Sequence, residues 1–359
     1  MQVDPVFWHD RAVLVTGHTG FKGAWLVLWL VRMGARVVGL ADGVPTSPSL
    51  YEVARAGRGI TEVRADVRDA GAVREAFDEH APEVVVHMAA QPFVRRSFRA
   101  PRETYEINVL GTVNVLEAVR ATPSVRAVVN VTSDKCYDNH PDRPPRPFVE
   151  SDPKGGHDPY SSSKGCAELV ADAYGRSFFA GEADGPRLAS ARAGNVVGGG
   201  DWGEDRLIPD IMRGAIAGQA IRVRNPQAVR PWQHVLNPLS GYLQLAQALA
   251  ASPAAAGGWN LGPAVDDARP VRWITDHLTG RWPDRLRWEV DAGPHPHEAH
   301  HLSLDSSKAH ERLGWAPTWD LEAALDSIVE WYLAFAQGRD LRAVTEAQIE
   351  RFAGGGGDR

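Results

Sequence analysis

Tyr160 and Lys164 bracket the stretch Tyr-Ser-Ser-Ser-Lys, so on a helix their side chains share one face. An ammonium group beside a phenol favours the phenolate and lowers the phenol's pKa. A phenolate held there can take the proton of an alcohol while hydride leaves the same carbon. Ser133, at the end of an apolar run, could hold the same oxygen. Singly, each residue also fits an ordinary helix surface or a polar turn. A second cluster names the hydride acceptor. Gly17, Gly20 and Gly23 are spaced G-x-x-G-x-x-G. Gly17 allows a tight turn, Gly20 lets backbone approach a pyrophosphate, and Gly23 lets a helix pack closely on a sheet. The helix N-terminus that follows offers free N–H groups and a positive dipole end to phosphates. Together the two clusters point to alcohol oxidation with a nicotinamide dinucleotide.

The elements around these residues agree. The apolar run Ala12–Val15 reads as a buried strand, 25–33 as a helix and 36–40 as a second strand. Asp42 follows that strand and could bond an adenosine ribose; a plain turn aspartate is the equal alternative. A third strand, 61–67, ends in Asp66-Val67, and a helix is expected over 69–80. The strand 82–90 ends in Ala89 and Ala90, small enough for a cofactor to lie across them. A helix over 101–121 carries Asn108, and a strand over 125–132 leads into Ser133-Asp134-Lys135. Five strands alternating with helices predict an α/β, doubly wound parallel sheet with ligands at the carboxyl ends of its strands.

After a proline- and glycine-rich loop, a helix is expected over 160–180 and a strand over 188–193. The pattern then changes. A glycine-rich loop runs from Asn195 to Arg206, followed by short elements, a helix over 236–250 and an amphipathic helix over 321–336. The expected division is a dinucleotide domain over 1–193, to which part of 230–260 returns, and a smaller C-terminal α/β substrate domain over 194–350. The tail, 351–359, reads as disordered.

Composition narrows the class further. With 359 residues the chain can form one large domain or two small ones. A net charge of −6 and no basic block speak against nucleic acid as a partner. Two cysteines, Cys136 and Cys166, suggest a reducing compartment, hence the cytoplasm. The N-terminal MQVDPVFWHDR lacks the apolar core of a signal peptide, and no apolar run is long enough for a membrane span. The twelve tryptophans are expected in core and pocket walls. The cluster His295-Pro-His-Glu-Ala-His-His301 has a ligand-like composition, but Pro296 spoils helical spacing, and no metal is expected.

The chain resembles the extended short-chain dehydrogenases/reductases, and more closely the CDP-glucose 4,6-dehydratases. The matching stretches are GHTGFKG at 17–23, HMAAQPFVRRS at 87–97, TSDKCY at 132–137, GGHDPYSSSKGCAELV at 155–170, RAGNVVGGGDWGEDRLIPDI at 192–211, RNPQAVRPWQHV at 224–235 and HPHEAHHLSLD at 295–305. They span nearly the whole chain. The resemblance implies a Rossmann domain holding NAD, a sugar-nucleotide domain, and a homodimer or higher homo-oligomer. It places Gly17, Thr19, Gly20, Phe21, Lys22, Gly23, Asp66, Val67, Ala89, Ala90, Tyr160 and Lys164 at the cofactor. It places Gln91, Asn195, Arg206, Arg224, Arg230 and Trp232 at a nucleoside-diphosphate hexose. A guanidinium suits a diphosphate because its fork matches phosphate oxygens.

The implied reaction is a hydro-lyase cycle: oxidation at position 4, loss of water across positions 5 and 6, and hydride return to position 6. Tyr160 would be the base and Ser133 would bond the same oxygen. Asp134 would protonate the departing 6-hydroxyl. The resemblance puts Lys135 where dTDP-glucose dehydratases carry a glutamate that takes the position-5 proton. A lysine base must be neutral, which needs desolvation or a nearby cation; as an ammonium it would stabilise the enolate instead. Both roles stay open. A sugar-nucleotide 4-epimerase needs Tyr160, Lys164 and Ser133 but no acid at position 6, and Asp134-Lys135 tilts against it. A catalytically silent NAD-binding protein would have no use for the tyrosine and lysine.

Overall fold

The computed structural model describes residues 2–140, 146–181, 185–282, 287–291, 293 and 302–355. His295–His301 therefore lies outside the described residues. Seven parallel strands form one sheet. Six come from the first 192 residues: β1 (Ala12–Thr16), β2 (Arg36–Ala41), β3 (Thr61–Arg64), β4 (Val84–His87), β5 (Ala127–Val131) and β6 (Arg187–Arg192). The seventh, Gly257–Asn260, comes from much later and pairs with β6. Across the sheet the order is β3-β2-β1-β4-β5-β6 and then the late strand. The order reverses between β1 and β4, the crevice where a doubly wound sheet takes its ligands. Among the described residues, no helix is long and apolar enough to cross a membrane.

The central strands read as unbroken apolar runs because helices cover both faces. One face packs against the helix Phe21–Arg32, whose Trp25, Leu26 and Leu30 are fully buried. The helix Leu236–Ala251 shares that layer, buried along almost its whole length. The opposite face meets the helices Ala70–His80, Gly111–Arg120 and Pro159–Tyr174. Trp8, Trp25, Trp259, Trp315 and Trp331 are among the largest fully buried side chains, as expected for core.

Several boundaries differ from the sequence reading. The first helix starts at Phe21, directly after Gly20, rather than at Trp25. β3 stops at Arg64, which leaves Asp66 and Val67 in the turn beyond it. The helix expected over 101–121 is three pieces: Pro101–Tyr105, a π-helical turn Glu106–Leu110, and Gly111–Arg120. The helix expected over 160–180 ends at Tyr174 and passes into a second π turn, Gly175–Phe179. Residues 351–353 are not tail; they close the last helix, Leu341–Ala353, whose Ile349 and Phe352 are buried.

Candidate active site

The glycine turn is tight for stated reasons. Gly17 has φ +72°, and a Cβ there would lie 2.8 Å from the Ala89 backbone. A Cβ on Gly23 would collide with the Gly17 carbonyl oxygen. Gly20 donates its N–H to Gly17 O at 3.1 Å and caps the helix without any side-chain bond. The first turn's N–H groups are thus left for an anion. Thr19 donates its hydroxyl to Gly43 O, tying the turn to the loop after β2. Phe21 faces inward against Gly198. His18 fills the space that Gly39 leaves and packs edge-on to Tyr51 at 5.3 Å. Burial pushes its pKa down to about 4, so the ring is neutral.

Lys22 reaches across the crevice, with Nζ 3.4 Å from the Tyr242 hydroxyl. Desolvation, then the charges of Lys164 and Arg206, push its pKa down to about 7, while Asp134 opposes them. Ala89 and Ala90 sit half-buried just past β4. Asp66 lies beyond β3, but its carboxylate accepts three bonds from Arg68, at 2.6 to 2.9 Å. Val67 is buried against Gly111. Asp42 is exposed. The small residues, the uncapped helix start and the nearby lysine fit a dinucleotide diphosphate.

Ser133, Asp134 and Lys135 follow β5 on a short 3-10 turn, Asp134–Cys136. Ser133 Oγ donates to Asp134 Oδ1 at 2.8 Å and accepts the Lys135 N–H at 3.2 Å. Tyr160 and Lys164 face this turn from the helix Pro159–Tyr174, which Asp158 caps. The Tyr160 phenol lies near Ser133, which acts on its ionisation. Lys164 donates to Val131 O at 3.3 Å, and burial lowers its pKa to about 8. The expected lowering of the phenol's pKa is not found in this ligand-free geometry. Burial pushes Tyr160 up to about 12, with nearby Ser133 opposing and the Asp134 charge adding to it. The phenol is buried deeply enough for desolvation to outweigh its neighbours.

Asn108 explains the π turn that carries it. Its amide donates to Ser163 Oγ at 2.8 Å and to Gln91 O at 3.2 Å, and its Oδ1 accepts the Gln91 N–H at 2.8 Å. A π bulge at such a place re-aims one side chain toward a site. Gln91, expected at the substrate, instead holds its own loop: its side chain donates to Thr104 Oγ1 and Phe93 O and accepts the Phe93 N–H.

The three arginines come from the chain beyond β6, and of them Arg206 is the one whose charge acts on Tyr160. Arg206 is paired with buried Asp201 at 2.9 Å and lies over the Phe93 ring at 5.2 Å. Arg224 pairs with Asp205, which Arg95 also grips. Arg230 lies on a short strand, Val229–Pro231, and donates to Val229 O at 3.3 Å. Trp232 is half-buried, and its Nε1 has no hydrogen-bond partner among the described residues. Asn195 has φ +50°, and its carbonyl accepts the Gln233 N–H at 3.2 Å. Cys136 and Cys166 are unpaired. Among the described residues, no cluster of histidine, cysteine or carboxylates could hold a metal.

Sequence reasoning missed three features. Tyr242 stands beside Lys22. Asp201 holds Arg206. A buried network joins Glu168, Arg192, Tyr137 and Asn260 behind the turn of Ser133–Cys136. Glu168 was findable, since it stands four residues past Lys164 on the same helix face.

Comparisons with known proteins agree with this geometry. A family model described as GDP-mannose 4,6 dehydratase matches residues 14–328. A CDP-glucose 4,6-dehydratase of Salmonella typhimurium is 50% identical over 98% of both chains. The dTDP-glucose 4,6-dehydratase DesIV of Streptomyces venezuelae, solved with NAD and TYD bound, superposes with a TM-score of 0.74 at 25% identity, covering 92% of this chain and 99% of that one. A Thermus thermophilus UDP-glucose 4-epimerase solved with NAD gives 0.75 at 26% identity, over 89% and 98%. The chain belongs to the nucleotide-sugar 4,6-dehydratases of the extended short-chain dehydrogenase/reductase family.

Proposed function

We propose that this protein is an NAD-dependent hydro-lyase that converts CDP-D-glucose to CDP-4-keto-6-deoxy-D-glucose. The observation that carries the reading is the joining of two sets of groups in one place. Ser133 bonds Asp134, an acid, and stands beside the phenol of Tyr160, the group suited to taking an alcohol proton. The 50% identical relative named for CDP-glucose supports the choice of sugar nucleotide.

NAD, when bound, would supply the hydride acceptor and donor of the cycle. The uncapped N-terminus of the helix Phe21–Arg32 and Lys22 would hold its diphosphate. Ala89, Ala90, Asp66 and Val67 would line the rest of its path. Tyr160 removes the 4-hydroxyl proton, with Ser133 holding the oxygen and Lys164 supplying positive charge beneath. Asp134 gives a proton to the departing 6-hydroxyl. Lys135 serves the position-5 proton as base, or the enolate as a fixed charge, and a pH–rate profile separates the two. Arg206, Arg224 and Arg230 take the substrate diphosphate; the carboxylates of Asp201 and Asp205 hold the first two in place meanwhile. Asn195 and Trp232 border the sugar nucleotide. We assign 1–193 and the returning part of 230–260 to the cofactor and 194–350 to the substrate.

The chain is further proposed to act as a cytoplasmic homodimer. Leu169, 59% exposed, and Leu110, 48% exposed, lie on two elements packed together, which leaves an apolar face open. Mass by light scattering tests this.

The 4-epimerase reading shares the fold and three of the groups. Mass analysis of products decides. Loss of one water from CDP-glucose, and not from dTDP-, UDP- or GDP-hexoses, is expected. An unchanged mass with inverted stereochemistry would establish the epimerase instead.

A further inference from the structure

Gly194 stands two residues beyond β6, as Asp134 stands beyond β5, its neighbour in the sheet. The strands pair in parallel, with Asn130 opposite Ser190 and Val131 opposite Ala191, so their ends deliver the two residues to one spot. A Cβ built on Gly194 falls inside the Asp134 carboxylate: its three nearest atoms are Asp134 Oδ2, Cγ and Oδ1.

The usual reason for a glycine is absent here. Gly194 has no positive φ; the left-handed residue is its neighbour Asn195. Alanine therefore fits the backbone at 194. The three nearest atoms all belong to the Asp134 side chain and none to the backbone. The carboxylate would have to move. Asp134 has little freedom to do so in its present place, being 4% exposed and accepting a bond from Ser133 at 2.8 Å.

We infer that Gly194 is a positioning residue for the elimination half of the reaction: its missing side chain is the space in which the acid stands. Tyr160 and Lys164 sit on a different element from that space. Ser133, bonded to Asp134, is the oxidation group nearest to it. This inference rests on the dehydratase reading.

The test uses the full-length protein and the variants Gly194→Ala, Asp134→Ala and the double. Wild-type turnover of CDP-glucose is measured first; failure there removes the dehydratase reading and this inference with it. Given wild-type activity, Gly194→Ala should lower dehydrated product at least about tenfold, within the range for a displaced acid. Reduced cofactor should accumulate on the enzyme, with NAD content and melting temperature unchanged. In the Asp134→Ala background, Gly194→Ala should change neither product nor reduced cofactor further, because the colliding group is gone. Product formation by Gly194→Ala at the wild-type rate overturns the inference. So does an equal further loss in the Asp134→Ala background. Should Gly194→Ala fail to fold, the double variant decides: folding of the double supports the collision, and its failure to fold overturns it.

Discussion

Glu168 and Arg192 form a two-pronged ion pair, at 2.9 and 2.6 Å, with both side chains 5% exposed. The pair joins the helix that carries Tyr160 and Lys164 to β6. Thr132, one residue before the turn that starts at Ser133, donates to Glu168. Arg192 continues to the Tyr137 hydroxyl at 2.7 Å, and Tyr137 donates to Asn260 at 2.6 Å on the late strand. Removing one member of a buried pair strands the other charge, at about 3–5 kcal/mol. Arg192→Met should therefore lower the denaturation midpoint by several degrees. It should also reduce kcat, because the turn 133–137 loses its support from behind. Unchanged melting would refute the network's role.

Tyr160→Phe leaves the glycine turn and Lys22 in place, so the protein should purify with NAD. Turnover should fall by about 10²–10⁴. A rate within tenfold of wild type would remove Tyr160 from the proton-abstracting role.

Asp134→Asn keeps the size of the side chain and removes the acid. Oxidation at position 4 should continue while elimination stops. The absorbance of reduced cofactor should then rise on adding CDP-glucose and stay high. If no such species forms, the acid lies elsewhere.

Lys22 gives a pH prediction whose sign is fixed. Its ligand-free pKa is about 7, so above neutral pH it is mostly unprotonated. An anion beside it favours the ammonium and raises that pKa. NAD binding should therefore take up a proton above about pH 7 and weaken as pH rises, with no such uptake well below pH 7. Calorimetry in buffers of different ionisation enthalpy measures the uptake. Lys22→Met should abolish it, and persistence of the uptake would assign the proton to Lys164 instead.

Arg206→Lys preserves charge but loses the fork that Asp201 now holds. KM for the sugar nucleotide should rise about tenfold, with a smaller change in kcat. A fall in kcat alone would place Arg206 at the reacting sugar rather than at the diphosphate.

What was legible in the sequence was what is local. Gly17, Gly20 and Gly23 stand within seven residues and announce their turn; Tyr160 and Lys164 stand within one helical turn. The helix Leu321–Ala336 was read with its observed limits because its apolar stripe and the Asp320 cap are both local. The π turn at Glu106–Leu110 was not legible, since its cause is the bonding of Asn108 to Gln91 and Ser163, far along the chain. Gly194 was silent for the same reason: its partner is sixty residues earlier. The late strand begins with Gly257-Gly258, which as sequence suggests a turn. It pairs only because β6 waits there with an open edge.

That edge has a consequence for how the chain comes off the ribosome. When residues 1–193 have emerged, β6 has a partner on one side only, and the apolar face later covered by the helix Leu236–Ala251 is bare. Some sixty further residues must be synthesised before the sheet is closed. An exposed edge strand invites pairing with other chains. Release of a chain stopped near residue 200 should yield aggregate rather than a small dinucleotide-binding protein, and the two lobes should be acquired together or not at all.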